Sequence, residues 1–148
     1  VVGATPVGAA LARLAHTAGI PVEVIEPRPA YAESLVEAAL EVDGDWPDEA
    51  LPRRAPDRST AVAIVAHDAR IDTAALESAL ASPAGYVGLL GGGRTRRSRF
   101  EAVREAGISE AEIERVRAPI GLDIGAERPA EIALAILAEV VAAWHGAQ

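Results

Sequence analysis

The chain opens with Val-Val-Gly-Ala-Thr-Pro-Val-Gly (Val1–Gly8), and this stretch decides the fold. Two apolar residues lead into a glycine-containing turn, and the apolar spacing in Pro6–Ala18 predicts an amphipathic helix. Val22–Ile25 is short and apolar, as a buried parallel strand should be, and Glu26 follows it directly. A strand, a glycine turn, a helix and a second strand followed by an acid predict a Rossmann-type unit.

Three positions of the turn match the slots of the dinucleotide fingerprint G-x-G-x-x-G. Gly3, Thr5 and Gly8 occupy these slots, and Glu26 lies where an acid would meet a ribose hydroxyl. A threonine side chain at the middle slot crowds the path of a pyrophosphate, and Pro6 removes one N–H group from the helix N-terminus. Thr5 followed by Pro6 is also a good helix start in its own right. The stretch therefore predicts the fold but disfavours dinucleotide binding in the usual pose.

The composition limits the possible functions. The 148 residues suffice for a single domain with its own core, expected to span residues 1–148. The net charge of −8 argues against a nucleic-acid partner. No apolar run approaches the roughly 20 residues that span a bilayer, and no signal segment is recognisable at the start, so no membrane association is expected. The three histidines are scattered and the chain has no cysteine, so no metal site is expected.

The chain also lacks lysine, since all fourteen basic residues are arginine. Schiff-base chemistry and the Tyr-x-x-x-Lys pair of short-chain dehydrogenases are therefore excluded, and we predict no catalytic residue. Further strands are predicted at Ala61–Ala66 and Tyr86–Leu90, and Pro129 is expected to open the last helix. Residues 44–59 have no periodicity and indicate a long surface connection. Asp72 is expected to cap a helix.

Polar residues follow two of the predicted strands at the edge of the sheet where ligands bind in open α/β folds. His67 and Asp68 stand at the end of one strand, where an imidazole could transfer a proton or hydrogen-bond a ring. The alternative is a turn-stabilising aspartate beside a partly buried histidine. Arg28 follows Glu26 by two residues and could meet a 2′-phosphate or a ligand carboxylate. The alternative is an arginine that is paired with Glu26 or free in solvent.

A glycine run between a strand and a helix is a second candidate anion site. The run consists of Gly91, Gly92 and Gly93, and four arginines follow within six residues: Arg94, Arg96, Arg97 and Arg99. Guanidinium groups match phosphate oxygens, and the helix N-terminus adds backbone donors. One or two of the four must point outward, and we expect Arg94 and Arg96 to contact the anion. The alternative is a solvated basic helix face.

The stretch Ala118–Ala126 is expected to be a loop or a strand, and it alternates apolar residues with small or polar ones. Ile120, Leu122 and Ile124 are expected on one face, while Gly121, Asp123 and Gly125 leave the other face nearly bare. A bare face indicates the close approach of a ligand or of another backbone. Asp123 could accept a hydrogen bond from a ring N–H, or it could simply stabilise a turn.

At these residues the chain resembles the Rossmann domain of the xanthine dehydrogenase accessory factor family (XdhC/CoxI type), from end to end. The most specific part is Ala118–Ala126 with Pro129-x-Glu131-Ile132-Ala133 after it, which looks like the family's signature Ala-Pro-Ile-Gly-Leu-Asp-Ile-Gly-Ala and its Pro-x-Glu-Ile-Ala. The segment Tyr86–Gly91, the pair His67-Asp68 and Arg28-Pro29 also match. The family's first turn reads Gly-Ala-Gly-His where this chain has Thr5-Pro6 as the last two residues, and Gly92 and Gly93 replace a serine and an arginine.

The resemblance implies an accessory protein that binds molybdenum cofactor (molybdopterin), protects it and helps deliver it to a molybdenum hydroxylase client. It further implies a cytoplasmic homodimer and an additional N-terminal domain that carries a cysteine, which is missing from this sequence. Alternatives are an NAD(P)-dependent oxidoreductase domain and a non-catalytic dimerisation module. The residues expected to contact the cofactor are Gly3, Thr5, Gly8, Glu26, Arg28, His67, Asp68, Gly91, Gly92, Arg94, Arg96, Gly121 and Asp123.

Overall fold

A computed structural model describes residues 1–37 and 40–146 of the chain. The helices are α1 (Pro6–Thr17), α2 (Pro29–Glu37), α3 (Pro47–Arg54), α4 (Ala69–Leu80), α5 (Gly93–Glu105), α6 (Glu110–Ile113) and α7 (Pro129–Trp144). The strands are β1 (Val24–Ile25), β2 (Val42–Asp43), β3 (Ala61–Ile64), β4 (Tyr86–Leu89) and β5 (Val116–Arg117). No helix in the described ranges has the length and apolar character needed to cross a membrane.

Within residues 1–37 and 40–146 the strand pairings are all parallel, and the N-terminal segment joins them. β1 pairs with β2, and β4 lies between β3 and β5. Val2 forms bridges to Ile25 on one side and to Ile64 on the other. The order across the sheet is therefore β2, β1, the Val2 segment, β3, β4 and β5. The chain starts at the centre of the sheet, adds β1 and β2 on one side, and then adds β3, β4 and β5 on the other side. This order is the doubly wound arrangement, and it confirms the predicted Rossmann-like fold.

Helices cover both faces of the sheet because its strands alternate side chains between two apolar clusters. Val62 and Ile64 pack with α3, α4 and α5 on one face. Ala63 and Val65 pack with α1 and α7 on the other face. The helices that follow the strands begin at the edge where the strands end, which we call the carboxyl edge. The opposite edge, where the strands begin, is called the amino edge.

The structure corrects three expectations about local structure. Residues 44–59 contain α3, whose Ala50 and Leu51 are buried, and this helix was missed because so short an element offers too few apolar positions for a period. Asp68, rather than Asp72, caps α4, while Asp72 lies inside the helix and is fully buried. Leu122 and Ile124 are exposed, because β5 ends at Arg117 and the loop that follows turns rather than continuing as a strand.

Candidate functional site at the carboxyl edge

Gly3 and Gly8, the two glycines of the first turn that match the dinucleotide fingerprint, allow close contacts between backbone segments. Gly3 has φ +106°, and a Cβ atom there would lie 2.4 Å from the Cα of Ala66. A Cβ atom on Gly8 would lie 1.9 Å from the Gly3 carbonyl oxygen. No larger residue fits either position without moving backbone atoms. The turn after Val2 and the turn after β3 are therefore in direct contact, as expected for strand ends that meet at one edge.

Thr5 uses its hydroxyl group within the protein. Its Oγ1 donates to the carbonyl oxygen of Val65 at 2.8 Å and accepts from the backbone N–H of Gly8 at 3.3 Å. The first contact ties the start of α1 to the exit of β3, and the second caps the helix. With Pro6 at the first helical position, this end of α1 offers fewer free donors to an anion than a glycine-rich turn would.

Glu26 is buried, and its carboxylate accepts four hydrogen bonds. The backbone N–H groups of Ala4 and Arg28 donate at 2.8 Å each, and the Arg28 guanidinium donates through Nε at 2.8 Å and Nη2 at 2.9 Å. Burial alone would raise the pKa of this carboxyl group, but the hydrogen bonds outweigh it and lower the pKa below its ordinary value. The acid that a dinucleotide site would offer to a ribose is thus already paired.

Arg28 bridges two strand exits. Besides Glu26, its Nη2 donates to the carbonyl oxygen of Ala66 at 3.3 Å, and its guanidinium carbon lies 4.1 Å from the ring centroid of Tyr31. The side chain therefore spans from the end of β1 to the end of β3. Of the two sequence interpretations of Arg28, the structure contains the pairing with Glu26.

His67 and Asp68 differ in how the structure uses them. His67 is exposed and has φ +56°, a left-handed conformation that is uncommon for a residue with a side chain. Asp68 caps α4, since its Oδ1 accepts from the backbone N–H groups of Arg70 at 3.0 Å and Ile71 at 3.2 Å. These backbone bonds, led by that from Ile71, lower the pKa of Asp68. The imidazole of His67 is thus held at the surface of the edge.

The glycine run after β4 leaves the N-terminus of α5 open. Gly91 has φ +144°, and a Cβ atom there would lie 2.7 Å from Cγ2 of Thr95. Gly92 occupies the N-cap position without a side-chain cap, and Cβ atoms on Gly92 or Gly93 would meet no atom of the described residues within 4 Å. Only Gly91 is therefore required by the protein's own packing. The other two glycines keep the first N–H groups of α5 accessible.

The four arginines that follow the glycine run have different surroundings. Arg96 donates through Nη1 to the carbonyl oxygen of Ala118 at 2.9 Å. Arg99 donates through Nε to Oδ2 of the buried Asp72 at 3.1 Å. Arg94 and Arg97 are exposed and make no hydrogen bond or ion pair with any residue in the described ranges. Of the two arginines predicted to contact an anion, Arg94 is free and Arg96 also holds the neighbouring loop.

The loop 118–125 lies beside α5 and is fixed by its backbone. The N–H group of Ile120 donates to the carbonyl oxygen of Leu89 at 3.1 Å. The N–H group of Gly121, whose φ is +98°, donates to Oε2 of Glu139 at 2.8 Å, and the Tyr86 hydroxyl donates to the same oxygen. Asp123 is exposed and has no hydrogen-bond partner among residues 1–37 and 40–146. Its carboxylate is therefore available to a ligand.

The predicted residues thus fall into two contiguous groups at one edge. Gly3, Thr5, Gly8, Glu26, Arg28, His67 and Asp68 surround the exits of β1, the Val2 segment and β3. Gly91, Gly92, Arg94, Arg96, Gly121 and Asp123 surround the exits of β4 and β5, linked by the bond from Arg96 to Ala118. Their roles toward a ligand stay predictions.

Sequence reasoning missed several contacts that organise this edge. Asp72 and Arg99 pair across 27 positions, and Tyr86 and Glu139 across 53, so no local pattern signals either contact. Trp46 lies 5.8 Å from the guanidinium carbon of Arg70. Trp46 could have been singled out in the sequence, because it is an aromatic residue three positions after β2 in a chain with few aromatics.

Two surface cavities lie at the amino edge. One, of about 720 Å³, is formed by the C-terminal ends of α3, α4 and α5, and the other, of about 550 Å³, includes Leu11, Ile20 and Trp144. Neither cavity contains a predicted site residue. The carboxyl edge remains the better candidate for an anionic ligand, because the free arginines and the open helix N-terminus lie there.

The family model described as XdhC Rossmann domain matches residues 1–140. The chain belongs to this family. It is 40% identical over 70 residues to the uncharacterized protein YqeB of Escherichia coli K12, covering 47% of this chain and 13% of YqeB. It is 36% identical over 84 residues to the molybdenum cofactor insertion chaperone PaoD of the same organism, covering 57% of this chain and 26% of PaoD.

Longer matches extend over nearly the whole XdhC domain. A probable xanthine dehydrogenase subunit of Bacillus subtilis 168 is 29% identical over 140 residues, covering 94% of this chain and 40% of that protein. A crystal structure described as a xanthine dehydrogenase from Bacillus halodurans superposes with a TM-score of 0.80 at 24% identity, covering 99% of this chain and 42% of that one. The structural match supports the fold. The chain spans less than half the length of each of these relatives.

Proposed function

We propose that this XdhC domain binds molybdenum cofactor and assists its protection and delivery to a molybdenum hydroxylase of the xanthine dehydrogenase type. The similarity to PaoD, whose name describes a molybdenum cofactor insertion chaperone, supports this role. The client enzyme is the partner in this proposal, and the domain acts as a dimer in the cytoplasm. The cofactor supplies the chemistry of the client, while this chain supplies binding and shielding.

The start of α5 is the strongest support for this proposal. The helix begins at the carboxyl edge without a side-chain cap, and Arg94 lies in its first turn. The first N–H groups of α5 and the guanidinium of Arg94 can bind the phosphate end of the cofactor together. Gly92 and Gly93 leave the space beside these donors empty, so a phosphate group can approach the backbone. The residues present therefore suit an anionic ligand.

The remaining predicted residues are assigned by position. Arg96 adds charge next to Arg94 while holding the loop that carries Asp123. His67 and Asp123, both exposed, face the ring of the ligand, and Asp68 keeps the turn of His67 in place through its cap on α4. Because the net charge of the chain is −8, the local excess of arginine offsets a field that would otherwise repel an anion.

The oxidoreductase alternative receives less support. A dinucleotide in the usual Rossmann pose needs an acid that is free to accept from a ribose and a first turn that is open to the pyrophosphate. Here the carboxylate of Glu26 is fully hydrogen-bonded, and the hydroxyl of Thr5 is committed to Val65 and Gly8. A ligand in that pose would have to displace Arg28.

The test replaces Arg94 with alanine and measures retention of molybdopterin in its phosphate-bearing and dephosphorylated forms. A charge-assisted hydrogen bond contributes about 1.5–3 kcal/mol, so the variant should bind the phosphate-bearing form about tenfold or more weakly. The dephosphorylated form should be affected little. Arg13→Ala is the matched control, because Arg13 is an exposed arginine of α1 without a described partner.

The proposal fails if Arg94→Ala discriminates between the two forms as strongly as the parent protein does. The arginines of α5 would then be a solvated helix face. A loss of discrimination in Arg13→Ala as well would indicate that only the net charge matters, which would also contradict a localised phosphate site.

A further inference from the structure

Two arginine–aromatic pairs lie at the carboxyl edge. Arg28 lies over the ring of Tyr31, and Arg70 lies over the ring of Trp46, with its guanidinium carbon 5.8 Å from the ring centroid. Trp46 stands at the start of α3, which follows β2, and Arg70 lies in the first turn of α4, which follows β3. The Trp46–Arg70 pair therefore belongs to the same edge as the candidate site, at the starts of α3 and α4, which lie on the same face of the sheet as α5.

Trp46 combines an exposed indole with a fixed backbone. The chain has only two tryptophans, two tyrosines and one phenylalanine. Tyr86 is buried and Phe100 packs against the core, whereas Tyr31, Trp46 and Trp144 are 43%, 40% and 39% exposed. The backbone of Trp46 is nevertheless held in place, because its carbonyl oxygen accepts from the N–H groups of Glu49 at 3.0 Å and Ala50 at 2.8 Å. An exposed indole is thus presented from a fixed position.

The chemistry of the pair suits a flat ring that carries negative charge. Indole and guanidinium groups are both planar, and both stack on heteroaromatic rings. Arg70 is exposed and can also attract an anion. We infer that Trp46 and Arg70 form a stacking platform for the planar heteroaromatic ring of a ligand bound at the carboxyl edge. Such a ring is a pterin or a nucleotide base.

The position usually used for a nucleoside is already filled. In a dinucleotide-binding Rossmann domain, the acid after the second strand holds a ribose at the exits of the central strands. Here Arg28 occupies that place, with bonds to Glu26 and to the carbonyl oxygen of Ala66. A ring approaching this half of the edge meets Trp46 and Arg70 on α3 and α4 instead. This inference rests on the proposed function only in expecting that the natural ligand carries such a ring: Trp46 and Arg70 stack on a face of the ring, while His67, which directly precedes the N-cap of α4, and Asp123 face its polar edge.

The indole N–H signals of the two tryptophans measure the binding of a ring directly by NMR. Trp144 is 39% exposed and borders the cavity at the amino edge, so its indole N–H signal is an internal reference for that of Trp46. In ¹H–¹⁵N spectra of the 148-residue chain, Trp144→Phe assigns the two signals. The probes are pterin, cytidine diphosphate and inorganic pyrophosphate. We expect a ring-bearing probe to shift the signal of Trp46 and leave that of Trp144 unchanged, while pyrophosphate shifts neither.

Variants separate stacking from charge. Trp46→Leu should weaken binding of the ring-bearing probe about tenfold, since stacking on an aromatic side chain is a major part of such affinity. Arg70→Lys keeps the charge but loses the planar group, so it should weaken binding about as much as Arg70→Gln. Binding to these variants is followed through backbone signals of α4, and Arg13→Gln is the control for loss of an unrelated arginine.

The outcomes are distinct. A shift of Trp46 by pterin alone, or by cytidine diphosphate alone, supports the platform and identifies its ring. No shift with either probe at millimolar concentration, or equal shifts of Trp46 and Trp144, overturns it. Full binding to Arg70→Lys also overturns it, because charge alone would then suffice. Arg94→Ala tests the phosphate site separately, so either proposal can fail while the other stands.

Discussion

Glu26 and Arg28 form a two-point ion pair at the carboxyl edge, in which both carboxylate oxygens face the guanidinium at 2.8 and 2.9 Å. Glu26 is buried, and the side chain of Arg28 is 26% exposed. The backbone N–H groups of Ala4 and Arg28 complete the shell of the carboxylate. The acid after the second strand therefore stabilises the protein itself, and this has consequences for binding and for stability.

The first consequence concerns nicotinamide cofactors. Binding of NADH in the usual pose would exchange the bonds of Glu26 to Arg28 for bonds to a ribose, with no gain in the number of charge-assisted contacts. We expect titration calorimetry to detect no micromolar binding of NADH. A micromolar dissociation constant that is lost in Glu26→Gln would contradict this prediction and favour the oxidoreductase alternative.

The second consequence concerns stability and pH. Because the pKa of Glu26 is lowered in the folded protein, its contribution is fully present above the ordinary carboxyl pKa and is lost as the pH falls through the folded value. Glu26→Gln should reduce the free energy of unfolding by about 2 kcal/mol at pH 7, the cost of leaving buried partners without their charged acceptor. The deficit should shrink in denaturation experiments at successively lower pH.

The control for that series is Glu105→Gln, which removes an exposed carboxylate at the end of α5 that has no partner in the described part of the chain. It should leave the free energy of unfolding nearly unchanged at every pH. A deficit in Glu26→Gln that stays constant from pH 7 down to acid unfolding would show that the charge of Glu26 contributes nothing.

Asp72 should have the opposite pH dependence. It is fully buried, its Oδ1 has no described partner, and burial raises its pKa despite the contact with Arg99. A raised pKa gives stability at low pH that is lost as the pH rises through the folded value. The stability of the wild type relative to Asp72→Asn should therefore decline between acidic and neutral pH. An increase over that range, measured by urea denaturation, would be the contrary result.

Two glycines at the edge should respond very differently to alanine. Gly3→Ala places a Cβ atom 2.4 Å from the Cα of Ala66 at φ +106°, and we expect a loss of at least about 3 kcal/mol or failure to fold. Gly92→Ala adds its Cβ in open space at φ −73°, so its stability should fall by no more than about 1 kcal/mol, the cost of alanine at an N-cap position. Thermal unfolding of the two variants and the wild type gives the melting temperatures that measure both effects. Equal melting temperatures would refute the close contact at Gly3.

Glu139 should control the order of the loop 118–125. Glu139→Ala removes the shared acceptor of Tyr86 and Gly121, at a cost of about 1–2 kcal/mol. The amide hydrogen of Gly121 should then exchange with solvent about tenfold faster or more, while amides of β3 keep their protection. Glu131→Ala, which affects the capping box of α7 instead, is the comparison variant. Unchanged exchange at Gly121 in Glu139→Ala would show that the loop is held by its other contacts.

The sequence predicted what depends on local pattern. Gly3, Thr5 and Gly8 predicted a strand–turn–helix unit, and the structure contains it with Thr5 as the N-cap. The sequence also placed His67 and the glycine run after successive strands, and topology then brought these turns to one edge. The contacts that decide which charges stay free could not be predicted, because Arg99–Asp72 depends on the packing of α5 against α4 and Arg96–Ala118 depends on the position of the loop 118–125 beside α5. The apolar face expected for Leu122 and Ile124 failed because alternation alone does not make a strand without a pairing partner.

The hydrogen bond from Arg96 to the carbonyl oxygen of Ala118 joins the start of α5 to the loop 118–125, which follows β5. An anion that drew the guanidinium of Arg96 toward α5 would take a donor away from Ala118, so the anion and the loop compete for one side chain. Binding of an anion at the carboxyl edge would then change the position of the loop 118–125, whose Leu122 and Ile124 are exposed. The position of the loop 118–125 and the binding of an anion at α5 would therefore be coupled through one side chain.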